Sequence, residues 1–407
     1  MKQHWIWLTT RRGIGVRGCA ELLQLFGSAE EIYGLSAEDY KKTEGFQNRW
    51  LEPLCDKSLD GAEKILQDCM EHDIEILTYA EEAYPRRLKN ISDPPVVLYY
   101  RGVLPSFDEE AVIAVVGSRR CSVYGLLHAK QFSKLIAASG GVVISGGARG
   151  IDTMALKGAL DSQTPVVCVL GCGLDIDYPR ENRYLFRDIT HHGCLLSEYP
   201  PGTPPDRGNF PVRNRIISGL SLGVLVVEAP EKSGALITAR LALEQGRDVF
   251  AIPGNIGVSH SAGSNRLLRE GAMLVENGWD ILQEYVFLYP EKLTDGRNAE
   301  AIERVYRARY CNAMSVYSPI AFQRGDDKKV VDNQPVKIYS DEKGEPGKMG
   351  EDELTVLGLL TDDPVHLDSL IGRCGLPARR VMAALTLLQI KNLVVVSNGN
   401  YYRRKSQ

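Results

Sequence analysis

The chain lacks a clear excess of charge of either sign: 48 Lys and Arg stand against 52 Asp and Glu, leaving a formal net charge of −4 over 407 residues. A polyanion would therefore have to meet a local basic patch on a mildly acidic body, not a global positive field. Cysteine pairs are also missing. The nine cysteines are scattered with no Cys-x-x-Cys spacing, and an odd, dispersed set argues for reduced thiols in a reducing compartment. No apolar run approaches membrane-spanning length, and Met1-Lys2-Gln3-His4-Trp5 does not lead into a signal-peptide core. The expectation is a cytoplasmic protein without a membrane partner. None of the seven histidines falls in a Gly-rich loop, and the adjacent His191 and His192 are poorly spaced for ligation, so neither metal nor cofactor is expected. No strand leads into a Gly-Lys-Ser/Thr, which excludes a P-loop.

What the chain does have is a series of apolar runs that end in glycine-rich loops. Ala111–Val116 runs into Gly117-Ser118-Arg119-Arg120, and Val142–Ile144 into Ser145-Gly146-Gly147-Ala148-Arg149-Gly150-Ile151-Asp152. Between them Leu127, Phe132, Leu135 and Ile136 have the spacing of one helix face. Pro165–Leu170, Gly193–Glu198, Gly223–Glu228, Asp248–Ile252 and a short Ala272–Val275 read as further strands, alternating with helical patterns. Such alternation specifies an α/β fold, a Rossmann-like doubly wound, mostly parallel sheet, with ligands outside the carboxyl ends of its strands. Residues 71–288 are assigned to this domain, entered through extended segments near 74–79 and 96–100. Residues 1–70 read as short helices. Their Gly13-Ile14-Gly15 turn, flanked by Arg11, Arg12 and Arg17, fits either a phosphate-binding helix-hairpin-helix element or a plain Gly-capped turn. Residues 289–350 lose the pattern and are read as a charged flexible linker. From 351 to 407 three amphipathic helices and a hairpin signal, Asn398-Gly399-Asn400, follow the winged-helix plan.

The strand-end loops at 117–120, 145–150, 171–182 and 209–215, with 232–234 as a fifth, are rich in Gly, Ser, Arg and Asn. Glycine lets backbone N–H groups approach an anion, and helix N-termini favour one. Tight βα turns use glycine for geometry alone, yet several such loops on one sheet edge, four with arginine, favour a phosphate ligand. The dinucleotide fingerprint fails from Gly117. Arg119, directly after the first strand, is expected to be aimed by the sheet, with Arg120 pointing away. Acid–base candidates are sparse. Asp152, Asp175, Glu198 and Glu228 lie near strand ends, but Asp152 suits a helix dipole and Glu228 is expected to orient Arg213 or Arg215. Cys172, between two glycines, reads as a small residue filling a turn.

These residues together resemble the DprA/Smf (DNA-processing protein A) family: Gly117-Ser118-Arg119, Ser145 to Asp152, Tyr178-Pro179 with Asn182, Phe210 to Leu220, Ser233 to Ala239 and Gly246 to Gly254. The resemblance spans about 75–285, and helix-hairpin-helix or SAM-like starts and winged-helix ends are common additions in that family. It implies a non-enzymatic, dimeric single-stranded-DNA-binding protein that protects incoming DNA in natural transformation and helps load a RecA-type recombinase. Its implied DNA-binding positions are Gly117, Ser118, Arg119, Ser145, Gly146, Gly147, Arg149, Gly150, Arg180, Asn182, Arg213, Asn214, Arg215, Lys232 and Ser233. The winged helix, with Arg379-Arg380 and Arg403-Arg404-Lys405 as its basic clusters, suits either duplex DNA or a protein contact. One alternative is a nucleotide-cleaving phosphoribohydrolase on a related fold, but its Pro-Gly-Gly-x-Gly-Thr-x-x-Glu loop is not matched by Ser233 to Ala239. Another, a winged-helix transcription regulator, requires a more basic recognition helix than residues 377–390 supply.

Overall fold

The computed structural model describes residues 2–295 and, with short gaps, 350–404. The expected linker lies almost wholly outside the described residues, as do the Asn398-Gly399-Asn400 turn, Arg379 and Lys405.

Nine strands make the large sheet: β1 (Glu75–Thr78), β2 (Val97–Gly102), β3 (Val112–Val116), β4 (Val142–Ser145), β5 (Val166–Leu170), β6 (Cys194–Ser197), β7 (Gly223–Val226), β8 (Asp248–Ala251) and β9 (Met273–Leu274). Their order is β1-β2-β6-β5-β4-β3-β7-β8-β9. From β6 to β9 all neighbours are parallel, while β2 pairs antiparallel with both β1 and β6. The extended entry at 71–110 thus becomes an antiparallel edge. The chain moves outward from β3 through β4, β5 and β6, then returns to lay β7 against β3, with Ile113 opposite both Val143 and Gly223. That reversal is the switch point at which doubly wound sheets open a crevice at their carboxyl edge.

Every residue of β3 is buried, because helices cover both faces. Ile113 and Val115 face one apolar cluster with Phe132, Ile136, Ala155 and Phe186, whereas Val112, Ala114 and Val116 face another with Ile216, Ile217 and Ala239. A period of two on a strand sends alternate side chains to opposite faces, and a strand buried on both must be apolar throughout. One expectation fails here. Leu127 is 51% exposed, because the helix Val123–Ala138 buries Gly125, Ala129, Phe132, Ser133 and Ile136. At about 100° per residue, position 127 lies on roughly the opposite side of that stripe.

Helices Lys2–Thr9, Gly15–Phe26 and Asp60–Glu71 lead the chain, with shorter ones between them. Their buried side chains, including Trp5, Trp7, Leu22 and Trp50, join the same cluster as Val97 and Tyr99 of β2. Residues 2–295 belong to one compact unit, and the described residues from 350 onward to a second. That second unit contains the helices Glu351–Leu359 and Leu367–Cys374 and a sheet ordered β10-β12-β11 (Val365–His366, Tyr401–Arg404, Val394–Ser397). It has its own core of Val356, Leu370, Val381, Leu385 and Leu388. Ser397 opposite Tyr401 is the hairpin pairing expected from the Asn-Gly-Asn signal.

Candidate nucleic-acid interface

The carboxyl ends of β3, β4 and β5 open into a cleft of about 250 Å³, walled by Arg119, Arg120, residues 146–149, Leu170, Gly171, Tyr178, Pro179 and Phe210. Four of the five expected stretches meet in it, the 209–215 stretch as the first turn of the helix Asn209–Leu220 through Phe210.

The β3 loop is a tight turn. Ser118 Oγ accepts from Arg120 N at 3.1 Å and donates to Arg120 O at 2.8 Å. This local closure keeps both arginines on the rim, so Arg120 does not point away as expected. Arg119 forms no ion pair among the described residues, and its guanidinium lies over the Phe210 ring, 5.0 Å from the centroid. Phe210 also meets Tyr178 at 5.5 Å between centroids, and Tyr178 is 39% exposed. A solvent-facing cation thus adjoins an aromatic pair, a combination suited to a phosphate and a stacked base.

The β4 loop closes the other wall. Gly147 (φ +65°) and Gly150 (φ +81°) occupy the left-handed region that glycine tolerates without strain, and a Cβ on Gly150 would meet Ser118 O at 2.5 Å. Ser145 is buried and donates to Val115 O at 2.7 Å, tying β4 to β3. Arg149 is exposed and pairs with Glu181. Asn182, expected at the DNA, is buried, donating to Gly147 O (2.9 Å) and Thr153 Oγ1 (2.8 Å).

The structure places Arg213 and Arg215 elsewhere than on a ligand-facing surface. Arg213 is 3% exposed and its Nη1 donates to the carbonyls of Gly146 and Val169, bracing two loops from beneath. Arg215 is 2% exposed and pairs with Glu198 (2.6 Å) and Asp93 (3.3 Å). Both lie on the inward face of a helix packed on the sheet, which spacing within a basic cluster does not reveal. Glu228 orients neither. Its carboxylate accepts from Ser122 N (2.7 Å) and Ser122 Oγ (2.6 Å), anchoring the helix Val123–Ala138. Arg180 and Lys232 are exposed but outside the cleft walls, Asn214 donates only a long bond to Gly234 O (3.5 Å), and Ser233 caps the helix Gly234–Glu244.

Asp152 sits buried behind the β4 loop and accepts from Ala148 N at 3.3 Å. Burial pushes its carboxyl up to about 6, against the opposing pull of Arg213, the Ala148 amide and Arg119. Burial likewise raises the Cys172 thiol to about 11, leaving it protonated near neutrality and inert as a nucleophile. It fills a turn, as read. Among the described residues no His, Cys, Asp and Glu cluster could hold a metal ion, and no helix is long and apolar enough to cross a membrane.

The family model for DNA recombination-mediator protein A matches residues 75–286, and the DprA winged-helix model matches 345–400. This chain belongs to the DprA/Smf family. The Smf protein of Synechocystis is 32% identical over 99% of this chain and 98% of its own. The DprA of Streptococcus pneumoniae is 46% identical over 51% of this chain and 73% of its own. A crystal structure of that S. pneumoniae protein covers 70% of this chain and 98% of its own at 35% identity, with a TM-score of 0.62. Tyr178 and Phe210 lie within the motifs of the resemblance but not among its implied DNA-binding positions; the structure sets the two rings side by side on the cleft wall, an aromatic residue beside basic loops being the signal in the sequence for such a surface.

Proposed function

We propose that this chain serves as the DNA-processing recombination mediator of its family by holding single-stranded DNA in the Arg119–Phe210 cleft. The observation that carries this is the juxtaposition of an arginine without a carboxylate partner among the described residues and an accessible aromatic pair, on a rim of glycine-rich backbone. A flexible strand can present a phosphate to Arg119 and splay a base onto Phe210 or Tyr178, which the stacked bases of duplex DNA cannot do without unpairing. Little base preference follows, since stacking is tolerant of base identity. Handing the strand to a RecA-type recombinase, acting as a homodimer and working in the cytoplasm complete the proposal, supported by family membership. Binding without turnover is also proposed, since both Glu228 oxygens are engaged by Ser122 and Asp152 faces the interior. The test is equilibrium binding of single-stranded and duplex DNA of one sequence. Single strands should bind far more tightly, and equal affinity for duplex overturns the reading.

A further inference from the structure

The loop after β4 presents its backbone asymmetrically. Arg213 Nη1 donates to Gly146 O at 2.7 Å, while Thr153 holds Ala148 O through both its amide (3.1 Å) and its hydroxyl (2.7 Å). Asn182 Nδ2 donates to Thr153 Oγ1 at 2.8 Å, which commits the hydroxyl proton to Ala148 O. In a trans peptide, the C=O of one residue and the N–H of the next point in opposite directions. Tying Gly146 O and Ala148 O into the interior therefore turns the N–H groups of Gly147 and Arg149 the other way, towards the cleft that both residues line. Neither amide has an acceptor among the described residues. The amide between them, on Ala148, is instead directed back at Asp152 Oδ2. The ten-residue helix Ile151–Leu160 begins directly after the loop and adds the positive end of its dipole.

Resting on the DNA-backbone reading above, we propose that Thr153 and Arg213 are positioning residues for a phosphate seat made of the Gly147 and Arg149 amides. Paired backbone N–H groups beside a left-handed glycine form a concavity suited to an anion. This seat is uncharged and stands beside the Arg119 guanidinium. Thr153 and Arg213 act on the strand only through the peptide planes they hold. An amide that takes a phosphate adds affinity without adding a cation, so it leaves the number of released counterions unchanged.

The experiment measures oligothymidylate affinity against salt for the full chain and its Thr153→Val and Thr153→Ser variants. Amide NMR resonances of Gly147 and Arg149 are followed in the same titrations. Thr153→Val removes the hydroxyl while keeping the shape; it should weaken binding about three- to tenfold, the worth of one lost hydrogen bond, with the salt slope of the wild type. Thr153→Ser should restore affinity, and both amides should shift on binding in the wild type. Wild-type affinity in Thr153→Val, a salt slope reduced by a full phosphate contact, or unshifted amides at saturation each overturn the proposal. If the wild type binds no oligothymidylate, the functional reading fails instead. Inorganic phosphate then tests the seat alone: shifts at Gly147 and Arg149 support it and their absence refutes it.

Discussion

Replacing Arg119 with alanine separates a ligand-binding arginine from a structural one. In the structure its guanidinium has no carboxylate partner among the described residues and lies 5.0 Å from the Phe210 ring centroid. An exposed cation–π contact of this kind is worth about 0.5–1 kcal/mol, so the melting temperature should fall by only a few degrees. Binding should suffer more. A hydrogen bond to a charged group contributes about 1.5–3 kcal/mol, or roughly 10- to 150-fold in affinity. Losing one phosphate contact should also lower the slope of log affinity against log salt by about 0.7 for a single strand. Arg119→Lys should recover part of the affinity and most of the slope, since the charge returns without the bidentate fork. The assay is fluorescence anisotropy of labelled oligothymidylate across a salt series, with thermal unfolding of the same samples. A large drop in melting temperature with an unchanged slope would refute the reasoning, showing that Arg119 holds the β3 and β4 loops together.

Phe210→Ala should cost about 1–3 kcal/mol of single-strand affinity, the worth of one stacked base, without altering the salt slope; an unaffected affinity removes the stacking role. For Asp152, burial above all raises the folded-state value to about 6 from an ordinary 3.8. The folded state therefore holds this proton more tightly than the unfolded state, and the group's contribution to stability grows as pH falls through about 6, levelling below 3.8. Thermal unfolding of wild type and Asp152→Asn across pH tests this, and a difference curve that is flat or rises with pH contradicts it. Glu228→Gln should lower stability through weakened bonds to Ser122, while neither protein hydrolyses nucleoside monophosphates; wild-type turnover lost in the variant would promote the phosphoribohydrolase alternative. A chain ending at residue 295 should fold and keep most of its single-strand affinity, because the cleft lies wholly before that point; loss of binding by a folded truncation would transfer the main site to the winged helix.

The apolar runs by themselves determined the doubly wound sheet. A strand such as Val112–Val116, buried on both faces, must be apolar throughout, and the break of each apolar run marks where the strand gives way to a loop. Placing ligand loops at the strand ends followed from the same pattern, and Arg119 and Arg149 do line the cleft. The direction of each side chain was decided only in three dimensions. Arg213, Arg215 and Asn182 have the residue types of a phosphate site, yet their helices turn them inward to hold carbonyls and carboxylates. Composition cannot distinguish a guanidinium that meets a phosphate from one that braces a peptide plane, since both need the same donors. Leu127 shows the same limit from the apolar side: helical spacing allowed more than one face, and packing against the sheet chose the stripe through Ala129 and Ile136. The contact of Phe210 with Tyr178 and Arg119 joins residues far apart in the chain. Those residues follow β3, β5 and β6, and only the parallel order β6-β5-β4-β3 brings their loops to one edge, so that contact belongs to the tertiary structure alone.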